Sequence, residues 1–205
     1  VRINEDGTVR LIMQDGINNN TNYQFNSNYN NYTYMYYTNS NAKTTLENWY
    51  QTNIGSKADL AKNVASGNYY CEQAKQKRAD SYTSGSATMT TYNKYTPDFK
   101  CSSDGNNKGV VNASVGLLSY DEVVYAGGYC GQNNNNYYLY NNTYFWTMSP
   151  AGFSGSHSNV WYVYPTGDIY SNPVTNANAV RPVIILNADT LATGSGTSSD
   201  PFVIN

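Results

Sequence analysis

Apolar and polar positions alternate cleanly near both ends of the chain and lose that rhythm between them. The opening run VRINEDGTVRLIM carries two alternating stretches around Asp6-Gly7, a dipeptide suited to a tight hairpin whose two central residues take positive φ. From Asp15 to Asn41 the pattern dissolves into Asn and Tyr, which predicts a long loop or insertion over 15–42 with one aromatic strand in YTYMYY. Thr44 to Glu47 fits a capping box with Thr44 as the cap. Leu46, Trp49, Tyr50 and Ile54 then form one helical stripe ended by Gly55. A second helix is expected between Ser56 as its cap and Gly67, with Leu60, Ala61 and Val64 facing inward. Cys71 to Cys101 reads as polar loop, with TMTTYNKYTP its best strand.

The sharpest local signal is LLSYDEVVYAGG, where Ser119 caps a helix, Glu122 completes the box, Leu118 can staple onto Val123, and Gly127-Gly128 end it. YYLYNNTYFWTMSP alternates as strands around an Asn141-Asn142 turn. In VWYVYPTGDIY, Trp161 and Val163 point one way and Tyr162 and Tyr164 the other, with PTGD as the turn. Val180 to Leu186 suits a central strand in which Pro182 marks a bulge or an edge. Two or three helices among mixed sheets of short strands make an α+β fold, expected as one domain over residues 1–205.

A net charge of -2 supplies no basic stripe for phosphates, so nucleic acid is not an expected partner. No apolar run approaches the roughly 20 residues of a membrane span, so membrane insertion within this segment is not expected either. The chain opens on a strand-like run without a starting Met, which fits an excised or mature segment of an exported, cell-surface protein. Three cysteines without a C-x-x-C argue against zinc and thioredoxin-type chemistry. Two readings of them stand. Either Cys71 and Cys101 form a disulfide whose loop closure contributes about 3–4 kcal/mol, leaving Cys130 as the odd thiol, or all three are buried and reduced. The 22 Tyr against 5 Phe are not explained by A/T-rich codons, which would raise Phe and Lys together.

Candidates for catalysis fall away one by one. His157, the single histidine, lies in the loop SGSHSN and cannot complete a two-histidine metal site. Asp121-Glu122 resembles a carboxylate pair but is explained by the helix start. GSGTSSD lacks the Lys of a phosphate loop. Arg181 reads as a structural tie between a strand and a loop, and Trp146 and Trp161 read as core. The expectation is a non-enzymatic chain with no cofactor and no metal. What remains is a binding surface of paratope-like composition: His157, Asn159, Tyr162, Tyr164, Asp168, Tyr170, Asn172, Asn176 and Asn178. Its expected partner is a protein or glycan on another cell or host surface. The alternative is a subunit or tip of a surface filament, whose aromatic faces pack on neighbouring copies. On this reading Tyr162→Ala and Tyr164→Ala spare stability, whereas Trp161→Ala costs about 3–5 kcal/mol.

The series LENWYQTN, GLLSYDEVVYAGG, FWTMSP, VWYVYPTGDIY and AVRPVIIL, with the ending GSGTSSDPFVIN, resembles a group of surface proteins of gut Firmicutes that carry a C-type lectin-like module. The formylglycine-generating-enzyme branch of that fold closes on GFR where this chain has AVR at Ala179 to Arg181. Variable proteins of diversity-generating retroelements use the same branch. The resemblance implies an adhesin- or receptor-type domain with a diversified C-terminal face, since adenine-directed mutagenesis of Asn codons yields the residue types of the nine candidates. The departures are equally informative. Only Asn172-Pro173 echoes the calcium loop of sugar-binding lectins, and no cysteine follows Cys130 to supply the copper-binding pair of the enzymes.

Overall fold

A computed structural model of the chain describes residues 2–72, 79–83, 86–89, 101, 109–154, 156–190, 192–197 and 199–204. Strands β1 (Arg2–Ile3) and β2 (Val9–Ile12) form the expected hairpin. Its loop differs from the two-residue turn anticipated: Gly7 alone takes positive φ (+82°), Asn4 N–H donates to Thr8 O at 2.8 Å and Gly7 N–H to Asn4 O at 3.0 Å. This is a three-residue connection, a type I turn closed by one left-handed residue, and it asks for glycine only once.

The stretch 15–42 is ordered by local hydrogen bonds rather than by strand pairing along its length. A left-handed turn, α1 (Ile17–Asn20), has Asn18 and Asn19 near φ +50° to +60°. Strand β3 (Asn22–Gln24) follows it. YTYMYY is not a strand: Tyr32–Met35 and Tyr37–Asn39 are 3-10 turns whose backbone N–H groups donate three residues back, as Tyr36 does to Thr33 O, and they bury Met35 and Tyr37. Helix α2 (Asn41–Tyr50) starts four residues earlier than expected. Ser40, not Thr44, is its cap, accepting from Lys43 N–H, while Glu47 pairs with the Lys43 ammonium instead of closing a box. The helix widens into one π turn at Gln51–Gly55. The second helix shrinks to the single turn α3 (Ala58–Ala61), capped at Lys57 rather than Ser56, and Leu60 is exposed.

Strands β4 (Gly67–Cys71) and β7 (Val110–Ala113) pair with each other, as do β5 (Ala79–Thr83) and β6 (Ser86–Met89). Beyond Met89, the anticipated strand TMTTYNKYTP lies outside the described residues. Cys71 and Cys101 are joined as a disulfide, with their Cα atoms 5.2 Å apart, and Cys130 is a free thiol. Strand β8 (Val115–Gly116) leads into helix α4 (Tyr120–Ala126), whose Ser119–Glu122 box forms as read from sequence. It ends in a Schellman arrangement, with Gly128 N–H on Val123 O and Gly127 N–H on Val124 O.

After β9 (Tyr129–Cys130), residues Tyr137–Tyr140 turn instead of forming a strand, and the long strand β10 (Phe145–Ser154) begins only at Phe145. Strands β11 (His157–Val163) and β12 (Asp168–Pro173) form a hairpin closed like the first one: Gly167 sits at φ +85° and donates to Tyr164 O. Strands β13 (Ala177–Ala179), β14 (Val183–Leu186), β15 (Ala192–Thr193) and β16 (Val203–Ile204) complete the chain. Pro182 lies just before β14, so it removes no ladder bond from a strand that is indeed central.

The fold is mixed α+β. One sheet has the order β1-β2-β14-β8 and a six-stranded sheet the order β3-β13-β10-β11-β12-β9. In the larger sheet Ala179, Phe145, Val163 and Ile169 stand side by side on the inner face. Trp161 shares that face and meets Tyr120 of α4 at 5.0 Å. The outer face carries Trp146, Tyr162 and Tyr170 in one cross-strand row. Trp146 is fully buried there because the 22–40 segment lies over it: Phe25 meets its ring edge-on at 5.6 Å and Tyr23 O accepts its indole N–H.

Candidate functional site

Beyond the reach of that covering segment, the outer face of the six-stranded sheet ends in four tyrosines. Tyr162 stands opposite Tyr170 across the β11–β12 ladder, Tyr164 follows at the end of β11, and Tyr144 enters just ahead of β10. Alternation puts all four on the phase of Trp146. Their rings touch in sequence. Tyr144 stacks on Tyr162 with centroids 6.1 Å apart and meets Tyr164 edge-on at 4.7 Å; Tyr164 meets Tyr162 at 5.9 Å and Tyr170 at 5.8 Å. Such edge and offset contacts fix ring positions in advance of any binding.

Exposure divides the four. Tyr162 is only 8% exposed and packs against Trp146 at 6.0 Å, so it forms the floor. Tyr144 and Tyr170 are 38% and 43% exposed, and Tyr164 is half-buried between them. Burial and the neighbouring phenols push the Tyr162 hydroxyl up to about 12. The charge of Asp168, then desolvation, holds Tyr170 above its ordinary value, and a hydrogen bond with Tyr164 does the same for Tyr144. These groups therefore present neutral O–H donors.

The nine residues singled out in the sequence do not form one surface. Tyr162 is buried rather than outward, because the outer face is covered up to its edge. Asp168 is buried beside it and accepts from Thr166 Oγ1 at 2.8 Å. Asn178, in β13 opposite Tyr23, is buried too. His157 sits at the far end of β11, about 20 Å from Tyr164 at roughly 3.3 Å per residue, and stacks on Tyr29 at 4.7 Å. Asn159 lies on the opposite phase and donates to His157 O and Gly152 O. Asn172 accepts from Asn176 Nδ2 near the His157 end. Only Tyr162, Tyr164 and Tyr170, with Asp168 beneath, are brought together. Tyr144 was not singled out, although its position two residues before Trp146 carried the phase signal.

A second polar concentration is only half visible in the sequence, which shows Asp121, Glu122 and Arg181 but not the arginines that meet Glu122. Arg10 lies on the inward phase of β2 opposite Ile185, and its guanidinium is buried against the Glu122 carboxylate at the start of α4. It also donates to Tyr69 O and Leu117 O and lies 4.9 Å from the Tyr70 ring centre. Arg2 approaches the same carboxylate at 3.8 Å. Asp121, buried next to Glu122, is pushed up to about 7 by desolvation and then by that neighbouring charge. Arg181 uses carbonyls in place of a carboxylate, donating to Met13 O and Leu139 O above the Phe145 ring, and burial lowers it to about 10. Both arginines tie separate segments together.

Among the described residues no three His, Cys, Asp or Glu side chains converge as a metal site, and no helix is long and apolar enough to cross a membrane. The chain matches no protein-family model, no curated protein sequence and no solved structure. The class that the geometry defines is a mixed α+β protein with an aromatic, uncharged patch at one end of its larger sheet.

Proposed function

We propose that this is an extracellular recognition domain that holds a protein partner on the Tyr144, Tyr162, Tyr164 and Tyr170 row. The carrying observation is the continuous four-ring contact: rigid phenols present large amphipathic area at low entropic cost, with Tyr162 locked below and neutral hydroxyls at the rim. Four linked rings offer the broad aromatic area on which protein-binding hot spots are built. The Cys71–Cys101 disulfide supports an oxidising compartment and hence the exported reading. The C-type lectin-like resemblance belongs with this reading as the source of the adhesin role. Diversification of all nine positions fits less well, since packing holds Tyr162, Asp168 and Asn178. The test is to probe arrays of secreted and cell-surface proteins, and of glycans, with the labelled chain and with its Tyr164→Ala/Tyr170→Ala variant. Protein signals that fall about tenfold or more in the variant support the proposal. Signals confined to glycans, or protein signals unchanged in the variant, overturn it.

One observation favours the filament alternative. Strand β16 belongs to a two-stranded sheet and exposes Val203 and Ile204 beside Phe202, an apolar stretch able to meet another copy. Light scattering decides: growth of assemblies with concentration favours it, and a monodisperse monomer at high concentration sinks it.

A further inference from the structure

A cleft of about 740 Å³ opens between the β1–β2 hairpin, β4, the start of β7 and helix α4, and shares no residue with the tyrosine row. Its volume lies within the roughly 300–1,000 Å³ usual for small-ligand sites. Arg2 and Glu122 lie within it, 3.8 Å apart. Along one wall Tyr69 donates its hydroxyl to Asp6 Oδ2 at 3.1 Å, close to the side chains of Asn4 and Asn68. Two further tyrosines line it from the α4 side, Tyr125 at 71% and Tyr138 at 58% exposed. A smaller recess of about 30 Å³ adjoins through Arg2, Tyr69, Cys71 and Glu122 and reaches Arg10 and Asp121.

The charges select the ligand by exclusion. An anion would meet Glu5, Asp6 and Glu122; a cation would meet Arg2, with Arg10 behind Glu122. An apolar molecule would strand the exposed Glu5 and Asp6 and the part-exposed Arg2 from water. A neutral polyhydroxylated ring satisfies all of them, because its hydroxyls both donate to carboxylates and accept from guanidinium and amide groups, while its C–H face lies on a phenol ring. We infer that this cleft binds one or two neutral pyranose rings of a saccharide, between the Asp6–Tyr69 wall and the Tyr125 and Tyr138 rings. The site needs no metal and operates independently of the tyrosine row, so one molecule can hold a protein and a glycan at once.

Titration of the full chain with maltose, cellobiose, lactose and chitobiose, followed by amide chemical shifts, tests the inference. At least one sugar should move the Asn4, Asn68 and Tyr125 amides with millimolar affinity, while the Tyr170 amide stays still. Tyr125→Ala and Tyr138→Ala, both at exposed positions, should leave melting unchanged and each weaken binding about tenfold. Glucuronate and glucosamine are the charged controls, and tighter binding of either than of the neutral sugars overturns the assignment. So do an absence of shifts at about 20 mM of every neutral sugar, or unaltered affinity in both variants. Because the Tyr164→Ala/Tyr170→Ala variant should bind the sugar normally, loss of the partner surface and loss of this site are read separately.

Discussion

Trp146 and Tyr164 stand on the same face of the same sheet, yet one is core and the other is surface. The difference is what lies above them. Over Trp146 the 22–40 segment supplies Phe25, buried Met35 and a ladder of local bonds, and it is pinned to β11 by Ser158, which donates to Tyr29 O and Asn31 O. Over Tyr164 nothing among the described residues continues that cover, and the row is finished by phenols instead of Phe or Trp. The same alternation along a strand thus yields packing at one end and, at the other, the exposed phenols proposed as the partner surface. Tyr162 lies at the border and belongs to both.

That division can be broken experimentally, starting at the covered end. Trp146→Ala removes the largest buried ring of the face and should cost about 3–5 kcal/mol in denaturant unfolding. Tyr162→Ala, one strand over, should cost about 2–4 kcal/mol and weaken partner binding as well, because the floor under Tyr144 and Tyr164 goes with it. A cost under about 0.5 kcal/mol at Tyr162 would show the border to be misplaced.

Asp121 provides a reference outside the face. Its carboxyl is raised to about 7, so the folded state retains the proton more tightly than the unfolded chain does. The stability tied to that proton is complete below the ordinary carboxylate pKa and is lost as pH rises toward 7. Asp121→Asn should therefore melt like the parent near pH 3 and gain an advantage, on the order of 4 kcal/mol, that grows to a plateau above pH 7. Identical pH–melting curves for the two proteins would remove the buried-carboxylate account. The smallest effect belongs to the open end: Tyr164→Ala and Tyr170→Ala should each change unfolding free energy by less than about 1 kcal/mol while weakening partner signals.

Elements whose determinants are local in sequence were legible before the structure. The α4 box and its Gly127-Gly128 end, the two hairpins and the opposite phases of Trp161 and Tyr162 all follow from neighbours within six residues. Misreadings have physical reasons. Thr44 displaced Ser40 as the expected cap because Glu47 lies three residues on, whereas the structure uses Ser40 and gives Glu47 to Lys43. YTYMYY alternates in polarity but turns with a period of three. The burial of Tyr162 depends on Trp146 and Tyr144 arriving from another strand, and Arg10 is understood only with Glu122, 112 residues away. Pairwise chemistry over that distance leaves no local pattern to read.

The register of β2 against β14, Val9 to Leu186 through Ile12 to Val183, has a consequence for how the molecule comes into being. During synthesis residues 9–12 leave the ribosome well ahead of their neighbour strand, which follows roughly 170 residues later. The smaller sheet can close only after residues 183–186 have emerged, and Arg10 meets its carboxylate before that closure or waits exposed to water. Late knitting of this kind leaves the β1–β2 hairpin without its neighbour until β14 arrives, and that engagement closes the smaller sheet over a sequence separation of about 170 residues.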